Sequence, residues 1–290
     1  ENSSVENAVD IVGTHTYADI NHNANWSALK VAANGKPVWV TESANLQSTD
    51  QSMTDAANYI KWILRGFNEG GVTAYMLHLF YEEADNNGYS SLVAWTPTGQ
   101  IILPKRYYTF KHFTNLVKKG YSLINSSSSE DNQIFVGAFI SEDESEIVLQ
   151  VFNEGDERDF SVDIPFGGTS FERFLTSNSS ADEFSSQGSI DIDYSNRYFT
   201  TLLPELSLTS FVFNIDQSLS NNSFNNNTDH EFQIKFFPNP SEGQLNLIFP
   251  DYSDYLVGVY DLKGKLILDF KIDNSKQYLL DITSLEKGFY

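Results

Sequence analysis

The sequence predicts an α/β region followed by an all-β region. Two observations carry this. Between residues 10 and 120, short apolar runs rich in β-branched residues alternate with stretches of helical spacing. From Tyr121 onward the apolar period becomes two, with turn signals between short runs. The chain has 290 residues, enough for more than one domain.

The first region is organised around Val38, Trp39, Val40, Thr41 and Glu42. Asn34 and Gly35 form a turn signal ahead of this run, which ends in a carboxylate. A short buried strand therefore delivers an acid at its C-terminal end, the end at which parallel α/β barrels carry their chemistry. The plain alternative is a glutamate that ends an exposed strand. After polar residues 45–50, with caps placed at Ser48, Thr49 and Asp50, the positions Met53, Ala56, Ala57, Ile60, Ile63, Leu64 and Phe67 predict a helix ended by Gly70 and Gly71. Residues 72–80 follow as another strand, completing a βαβ unit.

Upstream, residues 10–17 read as a strand, with Ile11, Gly13, His15 and Tyr17 on one face. If the strands are parallel neighbours, His15 and Tyr17 point where Glu42 points. A short helix is predicted over 25–33. Strand ends bearing His15 with Tyr17, Glu42, and His78 with Tyr81 suggest one cluster, although a lone histidine such as His78 also suits a core. Glu82, Glu83 and Asp85 read as a solvated loop, Trp95 ends the next apolar run, and Pro104 opens a helix with Tyr107, Phe110, Phe113, Leu116 and Val117 as its buried stripe.

In the second region Ile134, Val136, Ala138 and Ile140 alternate, as do Ile147, Leu149 and Val151, and Phe160, Val162 and Ile164. Ile190 with Ile192, Phe199 with Thr201, and Leu208, Phe211 and Phe213 supply further strands, predicting an antiparallel sandwich or barrel. Residues 217–230 are a Ser- and Asn-rich linker, and a last β-rich piece follows.

Asp and Glu number 39 against 18 Lys and Arg, a formal net charge of −21. That balance repels phosphate backbones and excludes an extended nucleic-acid surface, while neutral polysaccharide is compatible with it. The chain contains no cysteine, so no disulfide forms, and no apolar run approaches the ~20 residues of a membrane helix. No metal-ligand cluster is visible, and no cofactor is expected.

Parallel βα units followed by an antiparallel β-domain resemble the C-terminal half of clan A glycoside hydrolases, most closely family 30. The resemblance covers residues 10–215. His15, Thr16 and Tyr17 look like the end of the sixth barrel strand, and Trp39, Val40, Thr41 and Glu42 like the seventh-strand motif whose Glu is the nucleophile. Ser91, Leu92 and Val93, the turn at Gly99, and Lys105 to Tyr108 resemble the passage through the last helix. The eighth strand of such barrels usually carries a Trp, and residues 75–80 have none.

The resemblance implies an endo-acting retaining glycosidase on xylan-, β-glucan- or galactan-like polysaccharide. Glu42 would attack, Tyr17 would keep it ionised, His15 and His78 would bind sugar hydroxyls, and Tyr81 and Trp95 would stack on sugar faces. The acid/base Glu of the clan lies on the fourth strand, so strands one to five are read as absent and this piece as inactive by itself. The rival reading is a non-catalytic carbohydrate-binding or adhesion module.

The tail resembles the sorting domain of the type IX secretion system. Its motifs are Phe237, Pro238, Asn239 and Pro240; Val259 to Lys265; and Asp281 and Ile282, then Gly288 to Tyr290. This implies export to the cell surface or medium and contact with the secretion machinery. The expected domains are a partial (β/α)8 barrel (1–119, strands six to eight), a β-sandwich (120–216), the linker (217–230) and a truncated β-sandwich sorting domain (231–290).

Overall fold

A computed structural model describes residues 8–17, 24–45, 50–84, 90–129, 132–163, 168–191, 198–215, 235–237, 243–260, 266–283 and 285. The linker, the loop around Asn86 to Gly88, and most of the Pro238 to Gly243, Asp261 to Lys265 and Gly288 to Tyr290 motifs lie outside them. The chain forms two compact units, Glu1–Ile215 and Asp216–Tyr290.

The first unit begins with a parallel three-stranded sheet in the order β1 (Val12–His15), β2 (Val38–Glu42), β3 (Val72–Tyr75). Two helices make the crossovers, α1 (Trp26–Ala32) and α2 (Met53–Asn68). Val38, Val40, Val72 and Trp26 pack together as the local core. The side chain of Asn25 caps α1 by accepting from the Ala28 amide at 3.0 Å. The cap of α2 is Ser52 and not Asp50, while Ser48 and Thr49 lie outside the described residues: the Ser52 Oγ accepts from Thr54 N at 3.1 Å, and Asp50 accepts from Ser52 N at 2.7 Å. Only Ser52 stands immediately before the first turn, where the free amides need an acceptor.

β3 is shorter than predicted. Beyond Tyr75 the amides of Met76 and His78 still donate to Val40 and Ser43, but the carbonyls of Leu79 and Phe80 accept from Leu92 and Val93. The segment thus passes from one sheet to the next, a small sheet of β4 (Tyr81–Glu83), β5 (Val93–Trp95) and β6 (Ile101–Ile102).

Helix α3 (Lys105–Leu116) follows, with Pro104 at its N-cap and not within its first turn. Its buried face is Lys105, Arg106, Thr109, His112 and Phe113. This face is offset from the predicted aromatic stripe, because it meets polar partners as well as apolar ones.

Next come β7 (Ser122–Ile124), β8 (Ile134–Ile140), β9 (Glu146–Asn153), β10 (Arg158–Asp163), β11 (Gly168–Thr176), β12 (Glu183–Asp191), β13 (Tyr198–Leu203) and β14 (Ser207–Ile215). Six form an antiparallel sheet in the order β12-β11-β14-β9-β8-β7, and β10 pairs with β13. One face of the large sheet (Ile147, Val151, Phe211, Phe213) packs against Val162, Phe199 and Leu203 of the small one. Its other face, one residue out of phase (Phe152, Leu208), packs against Met53, Ile60, Leu64 and Phe113 of α2 and α3.

His112 anchors that second layer. The Phe184 amide donates to Thr176 Oγ1, 2.9 Å from His112 Nε2; the other ring nitrogen meets Ser210 Oγ, which donates to Gln150, whose amide returns to the His112 carbonyl at 2.8 Å. The ring is wholly buried, and burial holds it neutral, with its pKa pushed down to about 3.

The described elements of the second unit are the strands β15 (Lys235–Phe237), β16 (Gln244–Tyr260) and β17 (Leu266–Asp281), antiparallel, with Leu247, Phe249, Ile272 and Leu280 as its core.

Candidate active site

The site lies at the C-terminal ends of the parallel strands. Glu42 is the last residue of β2, and Tyr17 donates its phenol to Glu42 Oε2 at 2.6 Å. His15 Nδ1 stands 3.7 Å from the same oxygen, and the rings of His15 and Tyr17 meet edge to face at 5.6 Å. His78 is near enough for its charge to act on the carboxylate. Glu42 remains 39 % exposed, open to a ligand.

This convergence depends on an irregularity. Val12, Gly13 and Thr14 pair in register with Val38, Trp39 and Val40, but His15 pairs with Glu42, skipping Thr41. Val12, Val38 and Val40 face the α1 side. Strict alternation would turn Glu42 to that side too. The extra residue reverses the parity and sends Glu42 to the opposite face with His15. A Cβ on Gly13 would lie 3.7 Å from the Thr41 methyl, so Thr41 shares that open face, and its hydroxyl donates to the Thr14 carbonyl at 3.3 Å.

Beneath the carboxylate, hydroxyls lace the three strands together. Tyr75 Oη lies 2.9 Å from Ser43 Oγ and 3.2 Å from Thr16 Oγ1, and the Thr16 amide donates to the Glu42 carbonyl at 3.1 Å.

The electrostatics follow from these neighbours. The Tyr17 hydrogen bond holds the Glu42 carboxyl below its ordinary range against an opposing effect of burial, with help from the charges of His15 and His78. Tyr17 is pushed up to about 12, by burial first and then by donating to the carboxylate. Glu42 is therefore an ionised, hydrogen-bonded, accessible carboxylate, suited to attack on an electrophilic carbon or to stabilising positive charge.

Tyr81 and Trp95 form a second group. Their rings pair at 5.5 Å with a 35° tilt, and Tyr81 is 58 % exposed. Their contacts run to each other, and to Phe80 edge to face, not to Glu42. The segment 76–80 joins the two groups through its hydrogen bonds to β2 on one side and to the start of β5 on the other. The His78–Leu79 peptide bond is cis.

Sequence reasoning missed Ser43, Tyr75, Asn45, Asp55 and Arg106, which surround or support the site. Their polar partners are distant in sequence, so no local period marks them. The one available signal was a pair of charged positions, Asp55 and Arg106, on helical faces that also carry apolar residues. Among the described residues, no group of three or more His, Cys, Asp or Glu could hold a metal ion, and no helix is long and apolar enough to cross a membrane.

Parallel strands with a carboxylate at their C-terminal ends, followed by an antiparallel β-domain, resemble the barrel fold of family 30 glycoside hydrolases. Sequence and fold both relate the chain to xylanases of glycoside hydrolase family 30. It is 25 % identical over 213 residues to glucuronoxylanase XynC of Bacillus subtilis, matching 70 % of this chain and 46 % of that protein. The chain thus spans about half the length of the curated relatives it matches.

Among solved structures it resembles the family 30 endoxylanase of Clostridium papyrosolvens C71 (TM-score 0.57, 19 % identity, 74 % of this chain and 51 % of the other). It also resembles the subfamily 8 xylanase Xyn30A of Clostridium acetobutylicum (TM-score 0.58, 21 % identity, 74 % and 50 %). Residues 235–290 match the secretion system C-terminal sorting domain. That type IX sorting domain marks a secreted or cell-surface protein.

Proposed function

We propose that this chain carries the nucleophile half of a secreted retaining endo-glycosidase acting on plant or algal polysaccharide, with a xylan-like chain as the leading substrate. The observation that carries the proposal is the ionised Glu42 carboxylate at a strand end, held by Tyr17 at 2.6 Å. The names of the relatives, a glucuronoxylanase and two xylanases, favour xylan over β-glucan or galactan.

In this proposal Glu42 attacks the anomeric carbon and forms a glycosyl-enzyme ester. Tyr17 keeps the attacker ionised and aligned. His15 and His78 hydrogen-bond sugar hydroxyls, and Tyr81 and Trp95 stack on sugar faces. A retaining mechanism needs a second carboxylate ~5–5.5 Å from the first, to protonate the leaving oxygen and then activate water. The described partners of Glu42 are Tyr17, His15 and His78, so the acid/base stands outside this set. Residues 1–290 alone are expected to be inactive. Residues 1–119 would be barrel strands six to eight, 120–216 a β-sandwich, 217–230 a linker and 231–290 the sorting domain that engages the secretion machinery.

The pair of exposed Tyr81 and half-buried Trp95 would serve a carbohydrate-binding or adhesion module equally well, and that is the second reading. Activity of the full-length protein on plant and algal polysaccharides, compared with Glu42→Gln, decides between them. Loss of turnover with the fold and polysaccharide binding retained is the expected result. Turnover unchanged in Glu42→Gln would remove the nucleophile assignment, and the absence of turnover in the wild type would favour the binding module.

A further inference from the structure

We infer that Arg106 is a positioning residue for the site, fixing Asn45 in the chain leaving Glu42 and the parallel strand pair that carries Tyr81 and Trp95; this rests on the function proposed above. The Arg106 side chain is wholly buried on α3, well away in sequence from both. Its Nη1 reaches Asp55 Oδ2 at 2.6 Å and the Asp50 carbonyl at 3.1 Å, and its Nε reaches the Ser91 carbonyl at 2.8 Å.

Each partner leads to a different part of the site. Asp55 also accepts from Asn45 Nδ2 at 3.0 Å, and the Asn45 amide donates to Tyr59 Oη at 2.8 Å. Asn45 lies three residues after Glu42, so α2 and α3 together hold the chain as it leaves the carboxylate. Ser91 opens the approach to β5 and Trp95. Its amide, with that of Ser90, donates to Glu82 in the strand that begins at Tyr81. One planar guanidinium thus spans both groups. A buried ion pair is a weak source of stability but a strict geometric constraint.

Two variants in the full-length protein test this. Arg106→Lys keeps the charge opposite Asp55 but loses the fork that also holds Ser91. Asn45→Ala frees the Glu42 loop and leaves the ion pair whole. Displacement of a reacting group by about 1 Å costs up to roughly a hundredfold in rate. Asn45→Ala is therefore expected to lower kcat by about tenfold or more, with KM little changed and melting within a few degrees of wild type. Arg106→Lys is expected to raise KM as well, by about fivefold, because the aromatic pair loosens.

Wild-type kcat and KM in both folded variants would overturn the inference. If Arg106→Lys does not fold, the kcat of Asn45→Ala decides alone. The Glu42→Gln control separates this from failure of the functional reading. Should that control keep full turnover, calorimetric affinity for oligosaccharides of the preferred substrate decides: weaker binding by Arg106→Lys supports the brace, and equal binding overturns it.

Discussion

Tyr17 donates to Glu42 across 2.6 Å from the neighbouring parallel strand, and this bond is the largest influence holding the carboxylate ionised. The group's folded pKa is depressed, so its charged form is favoured as pH falls until the bond can no longer hold off the proton. Tyr17→Phe is expected to move the acid limb of the kcat/KM profile to higher pH and to lower kcat by about tenfold, since a charge-assisted bond is lost at the reacting group. A pH–rate profile with an unmoved acid limb would show that Tyr17 does not govern Glu42.

The aromatic pair should act on binding and not on chemistry. Trp95→Ala removes the ring that Tyr81 meets at 5.5 Å. Stacking of this kind is worth ~1 kcal/mol, so KM is expected to rise by about five- to tenfold with kcat within about twofold. Steady-state kinetics on soluble polysaccharide tests it; an equal fall in kcat would make the pair part of the reacting geometry.

His112 makes the first unit sensitive to acid. Its folded pKa, about 3, lies below the 6.5 of the free side chain. The unfolded chain therefore binds the proton first, and stability complete above pH 6.5 is lost as pH falls toward 3. The slope reaches about 1.4 kcal/mol per pH unit, giving a loss of about 2 kcal/mol by pH 5. Urea titrations at pH 7.5 and 5 measure this. A His112→Gln variant should be less stable at pH 7.5 and show a shallower slope.

Gly70 sits where no side chain fits. A Cβ there would lie 2.5 Å from Trp26 Cε3 and 2.8 Å from the Gly66 carbonyl. The second contact is backbone and cannot rotate away. Gly70→Ala is expected to cost about 1–3 kcal/mol and to lower the melting temperature by several degrees. Unchanged thermal unfolding would show that the end of α2 can shift.

Much of the frame was legible from residue order. The helical spacing from Met53 to Leu64 marked the buried face of α2, because one apolar stripe meets one neighbouring layer. Alternation along β9 put Ile147, Leu149 and Val151 on one face, and all three belong to the core between the two antiparallel sheets. The aromatic stripe expected on α3 located Phe113 and Phe110 in the core but not the polar part of its buried face. Arg106 and His112 are buried there because partners elsewhere in the chain satisfy them, and Thr109 because its hydroxyl donates to the Arg106 carbonyl one turn back; a hydrophobic period cannot register either.

Sequence by itself determined the strand that ends in Glu42, the histidine and tyrosine two positions apart on the strand before it, and the change of period at Tyr121. These are local properties of spacing and side-chain chemistry. Only the tertiary structure decided which way Glu42 faces. One unpaired residue, Thr41, turns the carboxylate from the helix-covered side to the side of His15 and Tyr17. A period-two pattern carries no signal for such an insertion, because it is fixed by pairing between strands and not by the strand alone.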